Sequence, residues 1–120
     1  MIITDSKHLL FIEPTQAPTA PIVDDYTQRV TAAWRARVDG RARYRGHHDC
    51  TGEGCTAASG NGEHTIAGRF ETNSLAIHYI ACHRAEVPAE DLEKILSLPA
   101  SDVEPTAGEL AGDWQACDPN

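Results

Sequence analysis

The sequence predicts a small single-domain α+β fold, about three helices with a short antiparallel sheet. Three observations predict it. Apolar residues keep a helical period over 24–40, alternate over 42–48 and 64–71, then return to helical spacing over 73–84 and 88–98. Gly52, Gly54, Gly60 and Gly62 separate the two alternating stretches, so that region must be turns and loop. The chain has 120 residues and is 41% hydrophobic, which suits one domain and one modest core.

Each element follows in order. Leu9, Leu10, Phe11 and Ile12 form a short strand-like run. Pro14, Pro18 and Pro21 then withhold backbone donors, so residues 1–21 read as a strand followed by an extended arm lying outside the core. Asp25 and Gln28 resemble a capping box, and Tyr26, Val30, Ala33, Trp34 and Val38 make one helical face that ends at Gly40. The alternation from Ala42 to His48 reads as a strand, and His64 to Glu71 as a second. Asn73 or Thr72 caps a helix running to Arg84; its Leu75, Ala76, Ile77, Tyr79, Ile80 and Ala81 are apolar on nearly every side, the signature of a buried helix. Pro88 opens a last helix, with Glu90 and Asp91 favouring its N-terminal dipole and Leu92, Ile95 and Leu96 as its packing face. The domain therefore spans 22–99. Residues 100–120 are acidic and poor in large apolar residues, and read as a flexible tail.

Charge divides along the chain. The formal net charge is -8, yet residues 29–84 carry eight arginines against five acids. Arg29, Arg35, Arg37, Arg41, Arg43 and Arg45 crowd the start of that stretch. Such asymmetry marks either an anionic partner or a basic surface covered by the chain's own acidic part. The partner-facing set is Arg35, Arg41, Arg43 and Arg45. An acidic protein is favoured over nucleic acid, because the chain as a whole repels a polyanion at long range. No stretch reaches the ~18 apolar residues of a membrane span, and Leu9–Ile12 falls short of the ~7–15 of a signal-peptide core. A cytoplasmic location is expected, where cysteines stay reduced and favour metals over disulfides.

The chemistry concentrates in the middle of the chain. Cys50 and Cys55 flank Thr-Gly-Glu-Gly, a turn tight enough for both sulfurs to face one point. Two cysteines so spaced are a usual first half of a zinc site. The second half falls on the buried helix, which offers His78, Cys82 and His83. His78 and Cys82 share a helical face, while His78 and His83 have the spacing of a zinc-binding histidine pair. The order of knuckle, strand and helix is treble-clef-like. His48 is a further ligand or supporting donor, with His47 and His64 behind it. Four ligands close a tetrahedral site, which favours a structural zinc over a catalytic one. The glycines do not spell a phosphate-binding loop, and adjacent Cys82 and His83 diverge by about 100° on a helix, too far apart for a thiol–imidazole dyad.

The stretch Asn73-Ser-Leu75-Ala-Ile77-His78-Tyr-Ile-Ala-Cys82-His83 resembles the helical end of His-Asn-His nucleases. That resemblance implies His47 or His48 as a base, Asn73 as the residue orienting it, His83 as a ligand to a divalent cation, and arginines on phosphates. The spacing from Asn73 to His83 departs from that family, and its usual acid–histidine pair is absent. The leading expectation is a zinc-stabilised binding or adaptor protein; a metal-dependent nuclease is the alternative.

Overall fold

A computed structural model describes residues 5–43, 49–60 and 62–112. The architecture is α+β, as expected: a three-stranded antiparallel sheet with helices packed around a central buried helix.

Helix α1 runs Asp25–Arg35. Asp24 caps it by accepting from the Thr27 amide. Thr27, Val30, Thr31 and Trp34 form its buried face. It stops short of Gly40, because Val38–Arg43 pairs as strand β1 with strand β2, Gly62–Ile66. The Val38↔Thr65 and Asp39↔His64 pairings outweigh the helical period that placed Val38 on the α1 face; Val38 is 68% exposed. A register shift between Asp39 and Arg43 breaks the ladder. The expected single strand over 64–71 is a hairpin instead. β2 turns at residues 67–69, with Gly68 at a φ of +67°, into strand β3, Phe70–Thr72.

Helix α2, Ala76–Cys82, is buried at every one of its positions. Its start is set by Asn73, whose Oδ1 accepts from Leu75 N at 2.8 Å. Its final carbonyls are satisfied from two directions. Thr19 N donates to Cys82 O and Ile22 N to Ala81 O, both at 2.9 Å, while Arg84 Nε donates to Ile80 O at 2.8 Å. The proline-rich arm thus closes the end of the central helix. Helix α3, Ala89–Leu96, follows Pro88 and buries Asp91 and Ile95; Leu96, expected on its packing face, is 50% exposed.

The described segments nearest each end, 5–12 and 106–112, pack onto the domain, although the sequence places them in an arm and a tail. Leu9, Leu10 and Ile12 are fully buried. Leu9 N donates to Glu71 O and Glu71 N to Lys7 O, so this segment lies alongside β3. Leu10 takes a left-handed φ of 62°, held by its carbonyl on Asn73 Nδ2 at 2.9 Å and its amide on Asp91 Oδ2 at 3.3 Å. At the other end, Thr106 and Glu109 form a reciprocal capping box that starts helix α4, Ala107–Ala111, and Gly112 ends it in the left-handed region. This helix packs on α2.

Arg84 forms a two-pronged pair with Asp24, at 2.9 and 2.7 Å, and lies over the Tyr26 ring. The pairing holds the Asp24 carboxyl at about 2, below its ordinary 3.8. A depressed acid stabilises the fold fully above its unfolded pKa, and that contribution disappears as pH falls through the folded value. Asp24→Asn keeps the helix cap and loses the pair. We expect a loss below about 1 kcal/mol at neutral pH, since the carboxylate is partly exposed. The gap to wild type should close between about pH 4 and pH 2 in urea titrations; a constant gap would remove the pair as its cause.

Candidate metal centre

Cys50 and Cys55 stand on a turn closed by its own backbone. Cys50 N donates to Ala57 O at 2.9 Å and Cys55 N to Gly52 O at 3.0 Å. Gly54 turns with a φ of +71°. The proline arm braces the same turn: Thr51 Oγ1 donates to Pro14 O at 2.7 Å and Glu53 N to Thr15 O at 3.3 Å. Gly52 is required by proximity, since a Cβ there would lie 2.6 Å from the His83 ring and 2.7 Å from Gln16 O.

The turn faces the end of α2. Cys55 Sγ lies 3.3 Å from His78 Nε2, and Cys50 Sγ 3.3 Å from His83 Nε2. The four donor atoms of Cys50, Cys55, His78 and His83 all fall within 4.8 Å of one another. A tetrahedral zinc, with bonds of ~2.3 Å to sulfur and ~2.0 Å to nitrogen, would set its donors roughly 3.3–3.8 Å apart. The cluster is therefore near the size one such ion needs, and these four residues can bind a metal ion.

Their surroundings suit that role. Cys50, His78 and His83 are buried, and Cys55 is half-buried. Burial lowers the pKa of both His78 and His83, keeping the neutral imidazoles that metals require. Burial also pushes the Cys50 thiol up to about 12, so with no cation beside it the sulfur keeps its proton. A bound cation inverts that preference and drives the proton off.

Helix geometry decides among the histidines and cysteines of α2. Cys82 is not in the cluster; its Sγ donates to Leu110 O at 3.6 Å and faces α4. His83 takes the place that Cys82 might have had. It sits just past the helix end with a φ of -127°, and that non-helical step carries its ring to the knuckle. A sequence reading that extends the helix to Arg84 cannot distinguish the two. A groove of about 440 Å³ runs beside Cys55 and Cys82, walled by Pro18, Pro21, Leu110 and Ala111.

The remaining candidates separate. His64 is buried against Trp34 and bonded to Asp39 at 2.7 Å, away from the cluster. His47, His48, Arg45 and Cys117 lie outside the described residues. Asn73, the orienting residue implied by the nuclease resemblance, has both ends of its amide on backbone groups, Leu10 O and Leu75 N. Arg41 and Arg43 belong to β1. Arg35, expected to face a partner, stays 42% exposed while it pairs with Glu109 at 2.7 Å and donates to Glu104 O at 2.9 Å. Arg29 likewise donates to Leu96 O and Leu98 O. The C-terminal part thus engages Arg29 and Arg35 without burying Arg35. Among the described residues no helix is long and apolar enough to cross a membrane. Comparison with protein families, with curated proteins and with solved structures finds no match for this chain.

Sequence reading missed Leu110 and Gly112 beside the site. The spacing Thr106-x-x-Glu109 is a capping-box signal that marks their helix.

Proposed function

We propose that this protein is a zinc-stabilised binding module. Cys50, Cys55, His78 and His83 would hold one structural zinc, and the arginine-bearing segment 41–45 would meet an acidic surface on a protein partner. The observation that carries the metal reading is the convergence of two sulfurs and two neutral imidazole nitrogens within 4.8 Å. This donor set matches zinc in softness and number, and four protein ligands leave no open position for catalysis. The partner reading rests on charge. Arg41, Arg43 and Arg45 stand in a stretch without acids from Gly40 to His48, whereas the whole chain carries -8. A net-negative chain with a local basic edge favours a protein acid patch over a nucleic acid. The proposed setting is a reducing, cytoplasmic one, which keeps the thiols available.

Elemental analysis of protein purified without added metal should give one zinc per chain. Uptake by stripped protein should release at least the Cys50 proton, measured by calorimetry in buffers of different ionisation enthalpy. Folded protein with no metal and freely reactive thiols would end the metal reading. For the partner, fluorescence anisotropy should compare a labelled glutamate-rich peptide with a labelled DNA duplex at equal salt. The peptide should bind, and Arg41→Ala, Arg43→Ala and Arg45→Ala together should weaken it at least tenfold without lowering the melting temperature. Tighter binding to the duplex would reverse the choice of partner.

A further inference from the structure

We infer that the C-terminal helix α4 is a working part of the metal centre: the Leu110 carbonyl sets which nitrogen of His78 meets the ion, so metal loading and α4 docking reinforce one another. The inference rests on the zinc reading above and extends it to residues that donate no ligand.

His78 Nδ1 lies 2.8 Å from Leu110 O. A carbonyl only accepts, so Nδ1 must carry the hydrogen. A neutral imidazole has one N–H and one lone pair, which leaves the lone pair on Nε2. That nitrogen is the one 3.3 Å from Cys55 Sγ, inside the cluster. Leu110 O thus prepares His78 as an Nε2 ligand before any ion arrives. Groups that accept from a ligating histidine's second nitrogen fix its tautomer and orientation, and their loss typically lowers metal affinity about 10–100-fold.

The carbonyl is held in place in part by contacts that do not touch the ligands. Arg35 anchors α4 to α1 through Glu109, which is almost fully buried, and through Glu104 O. Gly112 lets the chain pass the site: a Cβ there would lie 2.5 Å from Ala57 Cβ and 3.2 Å from His78 Cγ. Gly112 O also accepts from Ala58 N at 3.2 Å, tying the helix end to the segment that leaves the knuckle. By linkage, whatever docked α4 adds to metal affinity, bound metal returns to α4 docking.

Arg35→Ala tests this. It frees α4 and leaves all four donors in place. Zinc affinity, from competition with a chromophoric chelator, should fall about tenfold, with a partial return in Arg35→Lys. Nitrogen NMR of zinc-loaded wild type should show hydrogen on Nδ1 of His78 and the metal on Nε2. Metal on Nδ1, or an Arg35→Ala affinity equal to wild type, overturns the role of α4 while leaving the zinc reading standing. Wild type that takes up no zinc overturns both. Should Arg35→Ala fail to fold, the tautomer measurement on wild type still decides.

Discussion

Serine in place of Cys50 should abolish the proposed stoichiometric zinc and lower the melting temperature by at least about 20 °C, or remove the cooperative melt altogether. The expectation follows from magnitudes. Apparent zinc binding energies in small sites run ~10–16 kcal/mol, while a whole domain is stable by only ~5–15 kcal/mol. Each kcal/mol shifts the midpoint of a chain this size by about 4 °C. Cys50 is buried beside His83, and its partner Cys55 lies in the same turn, so no other described side chain stands ready to replace it. A serine hydroxyl is harder and far less acidic, a poor substitute for a thiolate. Cys82→Ser is the matched control. Its sulfur faces Leu110 O outside the cluster, so zinc content should hold at one per chain and the melt should move little. Equal behaviour of the two variants in metal analysis and calorimetric melting would remove the assignment of Cys50 and with it the site.

Trp34→Ala gives the second large effect by a separate route. Trp34 is 1% exposed at the meeting of α1 and the sheet. His64 stands edge-on to its ring with centroids 4.8 Å apart, and the Arg37 guanidinium lies 4.2 Å from the ring centroid. Removing the indole leaves a large cavity and two groups without their aromatic neighbour. Such substitutions cost about 3–5 kcal/mol, equivalent to a midpoint lower by some 15 °C or more. The aromatic and cationic neighbours of this ring are His64 and Arg37 rather than the four donor residues, so cobalt-substituted protein should keep its visible spectrum below the melt. A variant that loses its cobalt spectrum while still folded would show the core and the site to be one unit. Trp34→Phe, which keeps a ring for both neighbours, should lose markedly less.

What could be read beforehand follows the range of the forces involved. The central helix was plain because seven residues in a row offer no polar face. The knuckle was plain because glycines between two cysteines constrain the chain locally. Other features depend on distant partners. Val38 continues the α1 period and Gly40 resembles a helix stop, yet pairing to Thr65 and His64 takes both into the sheet. Leu9, Leu10 and Ile12 precede three prolines, and it is distant partners, Glu71, Thr72, Asn73 and Asp91, that hold this segment inside. The same holds at the site. His83 was available beside Cys82, but the choice rests on a single non-helical residue at the end of α2. Arg35 was legible as a charge; its pairing with Glu109, 74 positions away, was not.

The order of these segments along the chain has a consequence for biosynthesis. A ribosome delivers the brace at 14–22 first, the four donors between 50 and 83 next, and Leu110 last. On the zinc reading proposed above, the nascent chain would pass through a stage at which an ion could be captured before Leu110 has emerged. An ion taken at that stage would exchange readily with the cellular metal pool, and the later segment carrying Leu110 would convert capture into retention.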